Sequence, residues 1–292
     1  MADMTETTLT ALSSSISALV ERTAPSLVSV TSRHAQASGF VWRSGLIVTA
    51  EEALAEDGEV FVQPQGGERL PATRLGRDHS TDVALLRVGR ADLPVLPLAG
   101  AYPPVGALAI AAGADDGSAC AALGLVSRSA GAWRSMRGGE IDARLELDVA
   151  LRRGAQGSVA LDADGRAFGM AVRGPRRIIV IPAKTIERAA ATLEKHGRIP
   201  RGYFGVGLQA VRTPDKKPGA MVMNVDIDGP AAKAGVLQGD VIIAINGSAI
   251  EDVRSLQRAL GPDSVGSNVE LSIVRAGGTV KISVLIGERP TG

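Results

Sequence analysis

Two periodicities divide the chain. Near the start, Leu12, Ile16, Leu19 and Val20 recur at helical spacing, with polar Glu21 and Arg22 behind them and Pro25 ending the run. This predicts a short amphipathic helix within residues 1–25, laid against the domain that follows. From Ser26 onward the alternation shortens to that of strands, at 27–31, 37–42, 46–49, 59–63, 71–78 and 83–88, broken by turn signals at Ser44-Gly45 and Gly66-Gly67. A connector with Pro94 and Pro97 precedes a second set that begins near Ala107 and includes 121–127, 141–147, 159–162, 167–172 and 178–181. Two groups of about six short strands fit a double β-barrel, with a cleft where the groups meet.

Pro182 ends the last of these strands, and Ile186, Ala189, Ala190 and Leu193 then return to helical spacing before Lys195, His196 and Gly197 give a stop signal. Beyond it lie apolar strand runs at 204–211, 221–225, 241–245, 269–275 and 279–285, with short helices predicted at 230–234 and 251–260. The expected layout is a helical segment at 1–25, a barrel domain at 26–196, a linker at 197–201 and a small mixed α/β domain at 202–288.

Composition narrows the function classes. Hydrophobic residues make up 45% of the chain but aromatics only 3%, so the cores must be built from Val, Ile, Leu and Ala. A formal charge of +1, from 32 basic and 31 acidic residues, gives no global field for nucleic acid or anionic lipid. Basic residues do cluster locally at Arg152-Arg153, at Arg173 with Arg176-Arg177, and at Lys216-Lys217; without interleaved aromatics these read as solvated surface. Cys120 is the single cysteine, so no intrachain disulfide forms. The three histidines, His34, His79 and His196, are far apart and lack metal-ligand spacing, so neither a metal nor another cofactor is expected. The amino terminus has no basic n-region or uninterrupted apolar stretch, and no window is long enough to cross a bilayer, which leads to the expectation of a cytoplasmic protein.

The motifs carry more. Ala37-Ser38-Gly39-Phe40-Val41 and Gly45-Leu46-Ile47-Val48-Thr49 are followed in order by Thr81-Asp82-Val83-Ala84-Leu85-Leu86 and Gly154-Ala155-Gln156-Gly157-Ser158. Later come Tyr203-Phe204-Gly205-Val206, Gly229-Pro230-Ala231-Ala232-Lys233-Ala234-Gly235 and Gly239-Asp240-Val241-Ile242. In order and spacing this series resembles the HtrA/Deg serine proteases over nearly the whole chain. The resemblance implies a mostly β fold: a trypsin-like double β-barrel followed by a small α/β PDZ domain.

It also implies where the catalytic triad would stand, and there the residues depart from the pattern. Glu52 occupies the histidine position, Gln156 the nucleophile position, and Asp82 is the retained acid. A carboxylate cannot reproduce the imidazole that takes and returns a proton, and a carboxamide is a poor nucleophile. Ser158, two residues beyond Gln156, is read as a turn residue and not as a substitute nucleophile. The expectation from these residues is a pseudoprotease that is not an enzyme, with a residual unconventional peptidase as one alternative.

By the same resemblance, Tyr203, Phe204, Gly205 and Val206 form a carboxylate-binding loop. Gly207 and Leu208 open the strand on which a peptide would pair, and Val253, Leu256 and Leu260 line the facing helix. The implied partners are protein or peptide C termini. A homo-oligomer, in the family commonly a trimer, would make their capture multivalent, and a structural assembly protein using both domains as subunit contacts is the other alternative. The segment before Phe40 has no aromatic residue to supply such subunit contacts.

Overall fold

The computed structural model describes residues 7–33, 35–261 and 264–289, which leaves His34 outside the described residues. Contacts divide the chain into two units, Met1–Ile199 and Pro200–Gly292.

The first unit opens with α1 (Thr8–Thr23), started by the Thr7 hydroxyl, which accepts the Thr10 amide at 3.2 Å. It gives way to a 3-10 turn, Ala24–Ser26, at Pro25. The apolar stripe is packed only toward its end: Leu19 is buried and abuts Gly165, whereas Leu9 and Leu12 are exposed.

Six strands, β1 (Leu27–Ser32), β2 (Ala35–Arg43), β3 (Leu46–Ala50), β4 (Val60–Pro64), β5 (Leu70–Asp78) and β6 (Val83–Val88), close a barrel in the order β1-β2-β3-β6-β5-β4. After β7 (Leu108–Asp115) and β8 (Ser118–Ala130) comes a small hairpin, β9 (Trp133–Arg134) and β10 (Glu140–Ile141), which the sequence reading did not anticipate. Then β11 (Arg144–Asp148), β12 (Ser158–Leu161), β13 (Ala167–Arg173) and β14 (Ile178–Pro182) complete a second barrel in the order β11-β14-β13-β12-β7-β8. β8 extends beyond the expected 121–127 because its pairing with β7 begins at Ser118, immediately after the Asp116-Gly117 turn.

Helix α2 (Ala183–His196) ends at Gly197, whose left-handed φ of 70° lets its amide return to the Leu193 carbonyl at 2.8 Å. Its buried face of Ile186, Ala189, Ala190 and Leu193 joins a core that contains Phe40, Trp42, Leu85, Val159 and Met170. Each of the larger of these side chains, such as Ile186, Leu193 or Phe40, contributes roughly 1.5–3 kcal/mol by leaving water.

In the second unit, β15 (Gly202–Tyr203) pairs with the last strand, β22 (Gly287–Glu288). Between them lie β16 (Val206–Arg212), β17 (Pro218–Val225), α3 (Pro230–Lys233), β18 (Val241–Ile245), β19 (Ser248–Ala249), α4 (Val253–Ala259), β20 (Asn268–Arg275) and β21 (Gly278–Leu285). The antiparallel sheet runs β16-β17-β18-β20-β21, with β19 pairing off β18, so β16 is an edge strand. Its core holds Phe204, Ala220, Val222, Ile242, Leu256, Leu271 and Ile273. Asp240, almost fully buried, accepts from Arg275 Nε at 2.8 Å and Nη2 at 2.7 Å, and from the Leu237 amide at 2.8 Å. Burial works to raise the Asp240 pKa, but the Arg275 and Leu237 hydrogen bonds outweigh it and hold the group below its ordinary value.

Candidate functional site

Glu52 and Asp82 meet in the first unit. The Asp82 carboxylate accepts the Glu52 amide at 2.7 Å, and its backbone carbonyl accepts the Glu51 amide at 3.3 Å. Gln156 is placed through β2: its carbonyl accepts the Ser38 amide at 2.8 Å, while the Ser38 carbonyl accepts the Thr49 hydroxyl at 2.6 Å. Gly157 makes this approach possible. It has a left-handed φ of 93°, and a Cβ there would run into the Ser38 carbonyl.

The turn leading to Gln156 is a 3-10 helix, Arg153–Ala155. The Gln156 amide donates within it, to the Arg153 carbonyl at 3.4 Å. An oxyanion hole needs amides aimed at the reacting oxygen, and this one is turned inward. Ser158 is buried and donates its hydroxyl to the Ala155 carbonyl at 2.6 Å, so it serves the turn.

Around Glu52 the sequence reading missed a charge network. Glu51 is buried, and its carboxylate pairs with Arg77 and with His79 Nδ1 at 3.0 Å. Arg137, from the β9–β10 hairpin, reaches Glu52 at 3.1 Å and Glu51 at 3.7 Å. Ser135 anchors the same hairpin by donating to the Ser80 carbonyl at 2.6 Å. Only the Arg137-Gly138-Gly139 turn signal could have marked this hairpin in the sequence. Burial pushes the Asp82 carboxyl up to about 7; the Glu52 amide opposes this, and the charges of Glu52 and Glu51 add to it. Asp82 also has a positive φ of 57°, a conformation that Asp and Asn tolerate better than most residues.

The second unit presents the open edge of β16 beside α4. Val206 and Leu208 on β16 and Val253 and Leu260 at α4 are half-buried against the core, while Phe204 and Leu256 lie inside it. Gly207 is the second residue of the edge strand, half-buried, and the Tyr203 hydroxyl hydrogen-bonds to Asp226. The loop before β16 is pinned by its carbonyls: that of Phe204 accepts the Ala231 amide and that of Gly205 the Asp226 amide, each at 2.8 Å. In trans peptide units the N–H points opposite the C=O, so the Gly205 and Val206 amides face away from the 226–231 loop. Gly205 holds this geometry with a φ of 77°.

Comparison with known proteins gives the class first. A trypsin-like peptidase domain model matches residues 37–170 and a PDZ domain model matches 202–286, so the protein is a trypsin-like double barrel followed by a PDZ domain. Over most of its length the chain is similar to DegP-like serine endoproteases. It is 30% identical over 270 residues to a probable periplasmic serine endoprotease DegP-like of Chlamydia pneumoniae, covering 87% of this chain and 55% of that one. For the same-named protein of Pseudomonas putida the identity is 31%, over 87% and 56%. The chain thus spans about half the length of the curated relatives it matches. Among solved structures, the HtrA-type protease AlgW with decapeptide aligns with TM-score 0.71 at 22% identity, over 94% of this chain and 98% of that one. The serine endoprotease from Yersinia pestis aligns with TM-score 0.72 at 24% identity, over 93% and 97%.

Two expectations are corrected by these relatives. The chain was expected not to be an enzyme, yet proteins about 30% identical over most of its length are named serine endoproteases, which points to an enzyme class. It was expected in the cytoplasm, and the same relatives are named periplasmic. The first expectation treated three side chains as deciding the class, and the second took the composition of the amino terminus as an address.

Proposed function

We propose that this HtrA-type protein captures polypeptide C termini on its PDZ domain and, like the serine endoproteases it resembles, acts on polypeptides in the periplasm. The observation that carries the recognition reading is the open β16 edge, which begins at a loop whose Gly205 and Val206 amides are turned outward by pinned carbonyls. A terminal carboxylate would accept from those amides, the peptide backbone would add a strand to β16, and its apolar side chain would rest against Val206, Leu208, Val253 and Leu260. Phe204 and Leu256 shape the groove from within the core, and Tyr203, through Asp226, steadies the loop.

The test is binding of the full-length protein to peptides that differ only in a free or amidated C terminus. Free-carboxylate peptides are expected to bind, and Val206→Glu to weaken them at least about tenfold by placing a charge in the groove. Equal binding of amidated peptides would refute carboxylate recognition.

A further inference from the structure

Two arginine clusters about twenty residues apart in the sequence lie side by side in the folded first unit. Arg152 and Arg153 stand in the segment entering Gln156, Arg173 ends β13, and Arg176 and Arg177 lie in the turn between β13 and β14. Arg173 Nη2 donates to the Leu151 carbonyl at 2.9 Å, Arg177 Nη1 reaches Asp148 at 2.9 Å, and the Gly157 amide donates to the Ala171 carbonyl at 2.9 Å. These contacts tie the two turns into one rim beside Gln156.

All five arginines are exposed. Against them stand Asp148, itself exposed and paired with Arg177, and Asp115, which lies against Gly154. Among the described residues Arg152, Arg153, Arg173 and Arg176 have no ion pair. The whole chain is nearly neutral at +1, so this positive excess is local. Like charges held together on short turns repel one another, a cost that an anionic partner would relieve.

We infer that this rim is a binding subsite for an acidic polypeptide segment. The guanidinium fork matches a carboxylate with two parallel hydrogen bonds, which an ammonium cannot do. Neither turn carries an aromatic side chain on which a base would stack, and of their apolar residues Leu151 is buried, Ile178 half-buried and only the compact Pro175 exposed, so the two turns offer no long apolar side chain to a lipid surface. The chemistry therefore favours Asp- or Glu-rich peptide over nucleic acid or membrane. This subsite is separate from the β16 edge and does not depend on the PDZ reading.

The experiment uses full-length protein and a fluorescent glutamate-rich peptide with an amidated C terminus, which keeps carboxylate recognition out of the readout. A glutamine-rich peptide of equal length, single-stranded oligothymidine and phosphatidylserine vesicles serve as competitors. The glutamate peptide is expected to bind, to weaken as salt rises, and to lose at least about tenfold in affinity in the Arg152→Glu plus Arg176→Glu protein. Both arginines are exposed, so an unaltered unfolding curve will show that the double variant folds. Undiminished binding by that variant, or equal binding of the glutamine peptide, would overturn the subsite; tighter binding of oligothymidine or vesicles would overturn its assignment to polypeptide.

Discussion

The two domains place their functional burden on different parts of the chain. In the trypsin-like unit the chemistry would rest on side chains at positions 52, 82 and 156, and replacing an imidazole by a carboxylate there changes what the site can do while β2, β3 and β6 stay in register. In the PDZ unit recognition would rest on the backbone of an edge strand and two outward amides, which most side-chain substitutions leave in place. One fold can thus carry one site on its backbone and another on its side chains. The same contrast extends to buried acids. Asp240 meets a bidentate Arg275 and is held below its ordinary pKa, whereas Asp82 faces Glu51 and Glu52 from a confined position and is pushed up to about 7.

The strongest way to sharpen the comparison is to change the side-chain site. Glu52→His combined with Gln156→Ser supplies a base and a nucleophile beside Asp82, and general-base assistance contributes on the order of 10²–10⁴-fold. Casein hydrolysis is expected to rise at least about tenfold over the unmodified protein. No rise would mean that the inward Gln156 amide, and not the side chains, limits the site.

A smaller effect follows from Asp82. Its carboxyl titrates near 7 in the folded protein against about 4 when unfolded, so the folded state binds the proton more tightly. Stability is undiminished below about pH 4, falls as pH rises toward 7 and stays reduced above it, by on the order of a few kcal/mol. Asp82→Asn keeps an acceptor for the Glu52 amide and removes the titration. Its stability relative to the unmodified protein should therefore rise between pH 4 and pH 8 in urea unfolding, and parallel curves would contradict the burial of this group.

The smallest expected change tests the backbone site. Gly205→Ala meets both a positive φ and the Gly229 Cα at 3.1 Å, which costs roughly 1–3 kcal/mol. Affinity for a free-carboxylate peptide should fall with the altered loop, while the first unit's unfolding is unaffected. Retained affinity would show that the loop amides do not carry recognition.

Much of the fold was legible because its signals are local. Period-two runs from Ser26 onward gave the strands, Pro25 and Pro182 marked changes of element, and Gly197 marked the end of α2. The register of the Gly154-Ala155-Gln156-Gly157-Ser158 motif reflects a physical need, since only glycine at 157 lets the turn approach Ser38. The α1 stripe was read only in part, because periodicity names an apolar face without saying how much of it finds a partner; Leu19 does, and Leu12 stays exposed.

The sequence by itself determined the two barrels, the PDZ unit and the residue types at positions 52, 82 and 156, because periodicity, turn chemistry and motif order are properties of neighbours along the chain. Tertiary structure alone decided that Arg137 meets Glu52, that His79 pairs with Glu51, and that Arg173 reaches Leu151 and Arg177 reaches Asp148. Coulomb interactions depend on distance in space, and residues far apart in the sequence acquire that distance only when strands pair.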